Sequence, residues 1–300
     1  MIKWLYMTAY NSYRFGPAET PALIRKLLIW TAAVSLIVSL INPFFERFGF
    51  FGPETWLSLS WWGMERYLLF QPVTALFMQT TGYSGITMGW IMALGVNLYI
   101  LWVFGSSVLE WIGNRSFLRL YFGSGVFAGL LALLFMPLLG QWAAISGATA
   151  ATLSLLLVWS MMHPEAEIFV FLILPVKAKW IFAGLFGIFT IMALSRGSFV
   201  YLIYLFSGVV FGYFYALLAW NFRSPYVWMQ QWDKVFIQWK NRFLPKEKMQ
   251  IFSFGSGKKL DDDDAFVDAM LKKISKNGEK SLTKKERDRL DNISAQRRSS

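Results

Sequence analysis

The sequence predicts an all-α polytopic membrane protein, a bundle of six transmembrane helices followed by a cytoplasmic helical tail. Three observations predict it. Of 300 residues, 56% are hydrophobic and only 16% charged, more apolar than a soluble domain of this size normally is. Apolar stretches of about 18 residues or more, each long enough as helix to cross roughly 30 Å of hydrocarbon, recur up to residue 222. The tail changes character: residues 223–300 carry 18 of the 29 basic and 11 of the 18 acidic side chains.

The first span is placed at 27–45. It follows "MIKWLYMTAYNSYRFGPAETPALIRK", which lacks the short apolar core and small-residue cleavage site of a secretory signal, so residues 1–26 are expected to remain as a cytoplasmic N-terminus. The second to sixth spans are placed at 86–105, 117–138, 143–162, 177–195 and 199–220. Arg25, Lys26, Arg115, Arg119, Lys177, Lys179 and Arg223 all fall on one side of such a bundle, which puts both termini in the cytoplasm. There is no cysteine, which excludes disulfides, thiol catalysis and thiolate metal sites.

Between the first two spans, 46–71 is rich in tryptophan (Trp56, Trp61, Trp62) and broken by Gly52, Pro53 and Gly63. Too interrupted to span, it reads as a loop embedded in the membrane surface. Gly125 and Gly129 in the third span, Gly147 at the start of the fourth, and Gly208 and Gly212 in the sixth are read as close-packing positions between helices. Residues 223–252 read as an amphipathic interfacial helix with Trp228, Trp232, Phe236, Trp239 and Phe243 on one face. The last part, 253–300, reads as a polar linker with Asp261 to Asp264, then a small helical hairpin. One helix carries Phe266, Val267, Met270 and Ile274 with Gly278 as its stop; the other opens on a capping box, Thr283 and Glu286. So short an apolar stripe needs something to dock on, and a cytoplasmic partner is one candidate.

The pI of 9.7 is explained by topology and anionic headgroups, and without a recognisable binding motif no nucleic-acid partner is expected. Membrane lipids are the expected surroundings; no metal or cofactor is expected.

Over about residues 20–222 the arrangement resembles the rhomboid family, whose enzymes cut transmembrane substrates with a serine and a histidine. The strongest element is "NLYILWVFGSSVLEWIGNRSFLRLYFGSGV", where Asn97, Trp102, Phe104, Gly105, Glu110, Gly113, Arg115, Phe117, Tyr121 and Gly125 fit the family's second-to-third-helix pattern. "FQPVTALFMQ", "PVKAKW" and the tail's "SLTKKERDRLDNIS" are similar to further segments, the last two to those of bacterial members, which implies a bacterial inner membrane.

The resemblance implies a nucleophile at Ser146, in Ala144-Ile145-Ser146-Gly147 where the family has G-x-S-G. It implies an oxyanion-binding amide at Asn97, and a histidine where this chain has Leu205. Ala93 and Gln79 stand where the family has further histidines. The sole histidine, His163, lies 17 residues past Ser146, about 25 Å along a helix, too far to act as its base; Lys177 and Lys179 fail on the same geometry. The sequence therefore points to a pseudoprotease that binds the transmembrane segments of client proteins. An active serine endopeptidase with an unrecognised base at Ser146 is the alternative; a transporter is disfavoured by the scarcity of charge within the spans.

Overall fold

The computed structural model describes residues 17, 19–79, 86–170, 174–222, 224–226, 229–243, 267, 270–275 and 282–299. Pro21, with its fixed φ, leads into α1, Ala22–Arg47. Ile29, Trp30, Leu40 and Phe44 are exposed on one side, where lipid would lie, while Ile24, Leu27, Thr31, Ser35, Val38, Ser39 and Asn42 form a buried stripe at helical spacing. Two polar members of that stripe, Ser35 and Asn42, serve the loop that follows. Ser35 Oγ donates to the Phe77 carbonyl (3.3 Å) and accepts from the Gln79 N–H (3.1 Å). Asn42 Oδ1 accepts from the Glu54 N–H at 3.2 Å. Backbone groups that would otherwise be stranded in an apolar setting are thus satisfied.

The loop does not span. It folds into three one-turn helices, α2 (Pro53–Leu57), α3 (Trp61–Glu65) and α4 (Gln71–Thr74), and a 3₁₀ turn at Ala75–Phe77. Gln71, fully buried, ties it together by accepting from the Ser60 N–H (3.3 Å) and donating to the Trp56 carbonyl (3.1 Å). Phe50, Phe51, Trp56, Tyr67, Leu69 and Phe70 remain exposed on its surface.

Thr87 caps the next helix by accepting the Trp90 N–H at 3.2 Å. Met88–Leu139 is helical for 52 residues, about 78 Å if straight, far more than a bilayer is thick. It is not straight: Gly113 adopts φ 76°, ψ 163° and divides it into α5 (88–112) and α6 (114–139). A β-carbon on Gly105 would lie 3.7 Å from the Phe117 ring, a residue some 18 Å further along a continuous helix, so the chain doubles back. Gly140 (φ 63°) closes α6 in the left-handed region.

α7, Thr149–Met162, is the central helix, packed against the 88–139 helix, α8 and α9 and buried at every position but its last. Here the sequence reading needs correcting. Residues 143–148 are not the first turns of this helix: Ile145 forms an isolated antiparallel bridge with Leu59, and the helix begins only at Thr149. An antiparallel hairpin, β1 (Glu167–Val170) with β2 (Leu174–Lys177), follows; the sequence reading gave no strand there. Then come α8 (Ala178–Ser195) and α9 (Phe199–Trp220), joined through Gly197 at φ 63°.

α1, the 88–139 helix, α8 and α9 are each long and apolar enough to cross a membrane. With the division at Gly113 and the shorter α7, six apolar helices are present among the described residues, and the protein is an all-α polytopic membrane protein.

After α9 comes α10, Gln230–Phe243. Its Asp233 is fully buried, accepting a hydrogen bond from the Tyr213 hydroxyl of α9 and another from the Ser224 N–H at 2.7 Å. Phe236 meets Phe214 edge to face at 5.3 Å, so part of the expected aromatic face is spent on α9, while Trp232 stays exposed. Trp228 and the side chains of Trp239 and Phe243 lie outside the described residues.

The chain divides into two compact units, Met1–Lys240 and Asn241–Ser300. In the second, α11 (Lys284–Ser299) opens on the expected capping box: Thr283 Oγ1 accepts the Glu286 N–H at 3.4 Å and Glu286 Oε2 accepts the Thr283 N–H at 2.8 Å. Lys273, on the helical stretch 270–275, reaches Glu286 at 2.9 Å. Asp261 to Asp264, Phe266 and Gly278 lie outside the described residues.

Candidate functional site around Ser146

α7 rises only about 21 Å over its 14 residues, less than the hydrocarbon thickness, so the segment before it is recessed within the protein. That segment, bearing Ser146, is held by backbone bonds on either side of the serine. Leu59 and Ile145 exchange N–H···O bonds of 2.9 and 2.8 Å, and the Gly147 N–H donates to the Ala75 carbonyl at 2.9 Å. Both partners belong to the loop between α1 and α5. The reading that put Ser146 inside a helix is therefore replaced by a serine on an extended strip between loop and helix, 9% exposed.

Gly147 adopts φ 98°, where a side chain would be strained, and a β-carbon there would come 2.9 Å from Gln79 Oε1. Its carbonyl accepts a hydrogen bond from the Tyr204 hydroxyl of α9 at 2.6 Å. Gly208, one turn along α9, faces α7 so closely that a β-carbon would stand 2.7 Å from that of Ala150, and Gly212 meets Ser154. Leu205 lies between Tyr204 and Gly208 in α9 and is wholly buried, in the same apolar cluster as Ile145, Ala150 and Leu153. The carbon side chain at the position where the resemblance implies a histidine is thus packed into the core.

Asn97, on α5, is 3% exposed. Its Nδ2 donates to Thr149 Oγ1 at 3.1 Å and its Oδ1 accepts from Thr152 Oγ1 at 2.9 Å, so the amide is engaged at both ends by α7. The amide ties α5 to α7 where the family resemblance implied an oxyanion donor.

Gly125 and Gly129 correct another expectation. Their nearest neighbours are loop side chains: Gly125 receives that of Leu76 and Gly129 that of Leu59, at 2.7 Å from a β-carbon. They make room for the loop that carries the bonds to Ile145 and Gly147. Between α6 and α9 the tight contact is Gly123 with the Phe211 ring.

The remaining ionisable groups considered from sequence lie beyond the far end of α7. His163 is its C-terminal cap residue, with its ring 5.7 Å from that of Trp159 and 5.8 Å from that of Trp111. Lys177 and Lys179 both pair with Glu165, at 2.6 and 3.3 Å, which holds that carboxylate below its ordinary range.

Two connections were missed from sequence. Tyr204 binds a backbone carbonyl; its place three and four residues before the small Ser207 and Gly208 puts it on the packed face of α9. Gln141 spans two loops, donating to the Gly197 carbonyl (2.7 Å) and accepting from the Val200 N–H (3.2 Å), and a lone glutamine gives no sequence signal of that.

Fold and site define a polytopic helical membrane protein with a recessed serine held between a loop and two tightly packed helices. Residues 88–222 match the family model described as Rhomboid domain, and 262–296 match a family of unknown function, DUF6576. The chain is similar to Rhomboid protein 1, mitochondrial, of Saccharomyces cerevisiae, 28% identical over 166 residues, covering 53% of this chain and 48% of that protein. It is also similar to Presenilin-associated rhomboid-like protein A, mitochondrial, of Danio rerio, 31% identical over 86 residues, 29% of this chain and 22% of that protein. The matches thus span about half and about a fifth of the relatives' own lengths. Residues 88–222 of the chain are thus similar to the rhomboid family.

Proposed function

We propose that this protein is a catalytically inactive rhomboid that binds transmembrane segments of client proteins. The observation that carries the reading is Leu205, a buried hydrocarbon side chain on the turn of α9 that meets the Ser146 strip. A serine hydroxyl needs a neighbouring base to become nucleophilic at neutral pH. Asn97 supports the same reading, since one of its two amide N–H groups goes to Thr149 and its carbonyl accepts from Thr152, which pins the amide to α7.

Client binding is placed beside α5 and α8. α8 packs on α7 and α9 and leaves Ile188, Ile191 and Leu194 exposed, and Gly184 and Gly187 have open space around them. A helix rich in small residues would find a close approach there. The basic residues at the helix ends support an orientation with both termini on the cytoplasmic side; the similarity of "PVKAKW" and the tail to bacterial members supports a bacterial inner membrane.

A fluorophosphonate probe tests the inactive reading. The purified protein should not label, with or without Ser146→Ala. Labelling of the unmodified chain that vanishes in Ser146→Ala would establish the alternative, an active serine endopeptidase. Photo-crosslinking from position 188 should capture transmembrane segments in cells; crosslinks to lipid alone would remove the client-binding half.

A further inference from the structure

A groove of about 400 Å³ runs along α1, lined by Leu23, Lys26, Leu27, Trp30 and Val34 of the helix and by Leu57, Thr74 and Phe77 of the loop and turn. Apart from Lys26 and Thr74 its lining is hydrocarbon or aromatic. Thr74 Oγ1 donates to the Leu57 carbonyl at 2.9 Å, so the one hydroxyl there is already satisfied. Lys26 is the only charged residue of the lining, it is exposed, and the first turn of α1 carries no acid to neutralise it. The groove therefore has an apolar body with a cation at one end.

From Leu23 to Val34 the helix rises about 16 Å, the reach of a large part of one acyl chain. A narrow apolar groove of this length suits a single acyl chain, and the cation favours an anionic head. We propose that this groove is a site for an anionic phospholipid, with one acyl chain lying between α1 and the loop and the phosphate held by Lys26. The lysine stem packs along the groove while its ammonium stays at the headgroup level, as long basic side chains do at membrane surfaces. The site involves neither Ser146 nor the α5 and α8 face, and stands or falls independently of the function proposed above.

The full chain, reconstituted in phosphatidylcholine vesicles holding trace phosphatidylglycerol or trace phosphatidylcholine with a photoreactive diazirine in the acyl chain, provides the test. Adducts mapped by mass spectrometry should concentrate at Leu27, Trp30 and Val34, with phosphatidylglycerol favoured about fivefold, the effect of roughly one lysine near a headgroup. Lys26→Gln should bring the two lipids to parity. Val34→Trp should remove the groove adducts of both while leaving those at Ile188, on α8, as they were. Thermal denaturation in detergent checks that both variants fold. Equal labelling by the two lipids in the unmodified chain, or groove labelling no denser than at Ile188, would overturn the proposal, as would a photoreactive residue at position 34 that captures a protein in place of lipid.

Discussion

The Tyr204 hydroxyl donates to the Gly147 carbonyl at 2.6 Å, fastening α9 to the strip that carries Ser146. Tyr204→Phe removes the donor and leaves a buried carbonyl without it. A loss of about 1–2 kcal/mol is expected in unfolding by mixed detergents, the usual cost of stranding one buried group. Loss of no more than a few tenths would mean that the contact between α9 and the strip rests on packing alone.

Gly208 and Gly184 make a matched pair of tests. A β-carbon on Gly208 would stand 2.7 Å from that of Ala150 and 2.9 Å from its carbonyl oxygen, so Gly208→Val should cost roughly 2–4 kcal/mol or prevent folding. Gly184→Ala meets nothing within 4 Å and should be neutral or slightly stabilising, by helix propensity. Detergent melting curves of the two variants decide it; equal effects would contradict the packing described.

Leu205→His alone should not create a protease. The new imidazole would enter a space filled by core packing, and Asn97 would still be bound to Thr149 and Thr152. Cleavage of a fluorescent transmembrane substrate by this variant, lost again when Ser146→Ala is added, would show that a base was the only part lacking.

Asp233→Ala strands the Tyr213 hydroxyl and the Ser224 N–H together, both bonded to that carboxylate. About 2–4 kcal/mol of local stability should be lost, read as faster hydrogen exchange around Ser224 and along α10. Trp232→Ala, at a side chain 62% exposed, should leave that exchange nearly unchanged.

Glu286 supplies the pH prediction. Lys273, then the Thr283 N–H and hydroxyl, hold its carboxyl down from an ordinary 4.5 to about 2. Because the folded value is the lower one, its stabilisation is complete above about 4.5 and fades as pH falls through about 2. Hydrogen exchange in α11 of the full chain, corrected for intrinsic rates, should quicken over that window. In Glu286→Gln the window should disappear.

Periodicity and length placed the six apolar helices, because a bilayer demands long uninterrupted runs and permits little else. The start of α7 escaped for the same reason. Ala143, Ala144 and Ile145 are as apolar as any helix turn, and only the bridge to Leu59, 86 residues earlier in the chain, draws them out as a strip. Ser146 and Leu205 could be picked out by resemblance to a family pattern. That Asn97 is bound at both ends could not, since Thr149 and Thr152 look like ordinary helix residues until α5 is set beside them. Likewise Asp233 reads as one charge on an amphipathic face, and its burial depends on where Tyr213 falls on a different helix.

Gly113 has a consequence for how the chain is made. One non-helical residue joins α5 to α6, leaving no connecting segment for an insertion machinery to treat separately. The two spans must enter the bilayer as a hairpin, each shielding the backbone of the other as it leaves water. Arg115 and Arg119 lie just past the bend, so whichever side of the bilayer holds its apex, the orientation of both helices is fixed in one event.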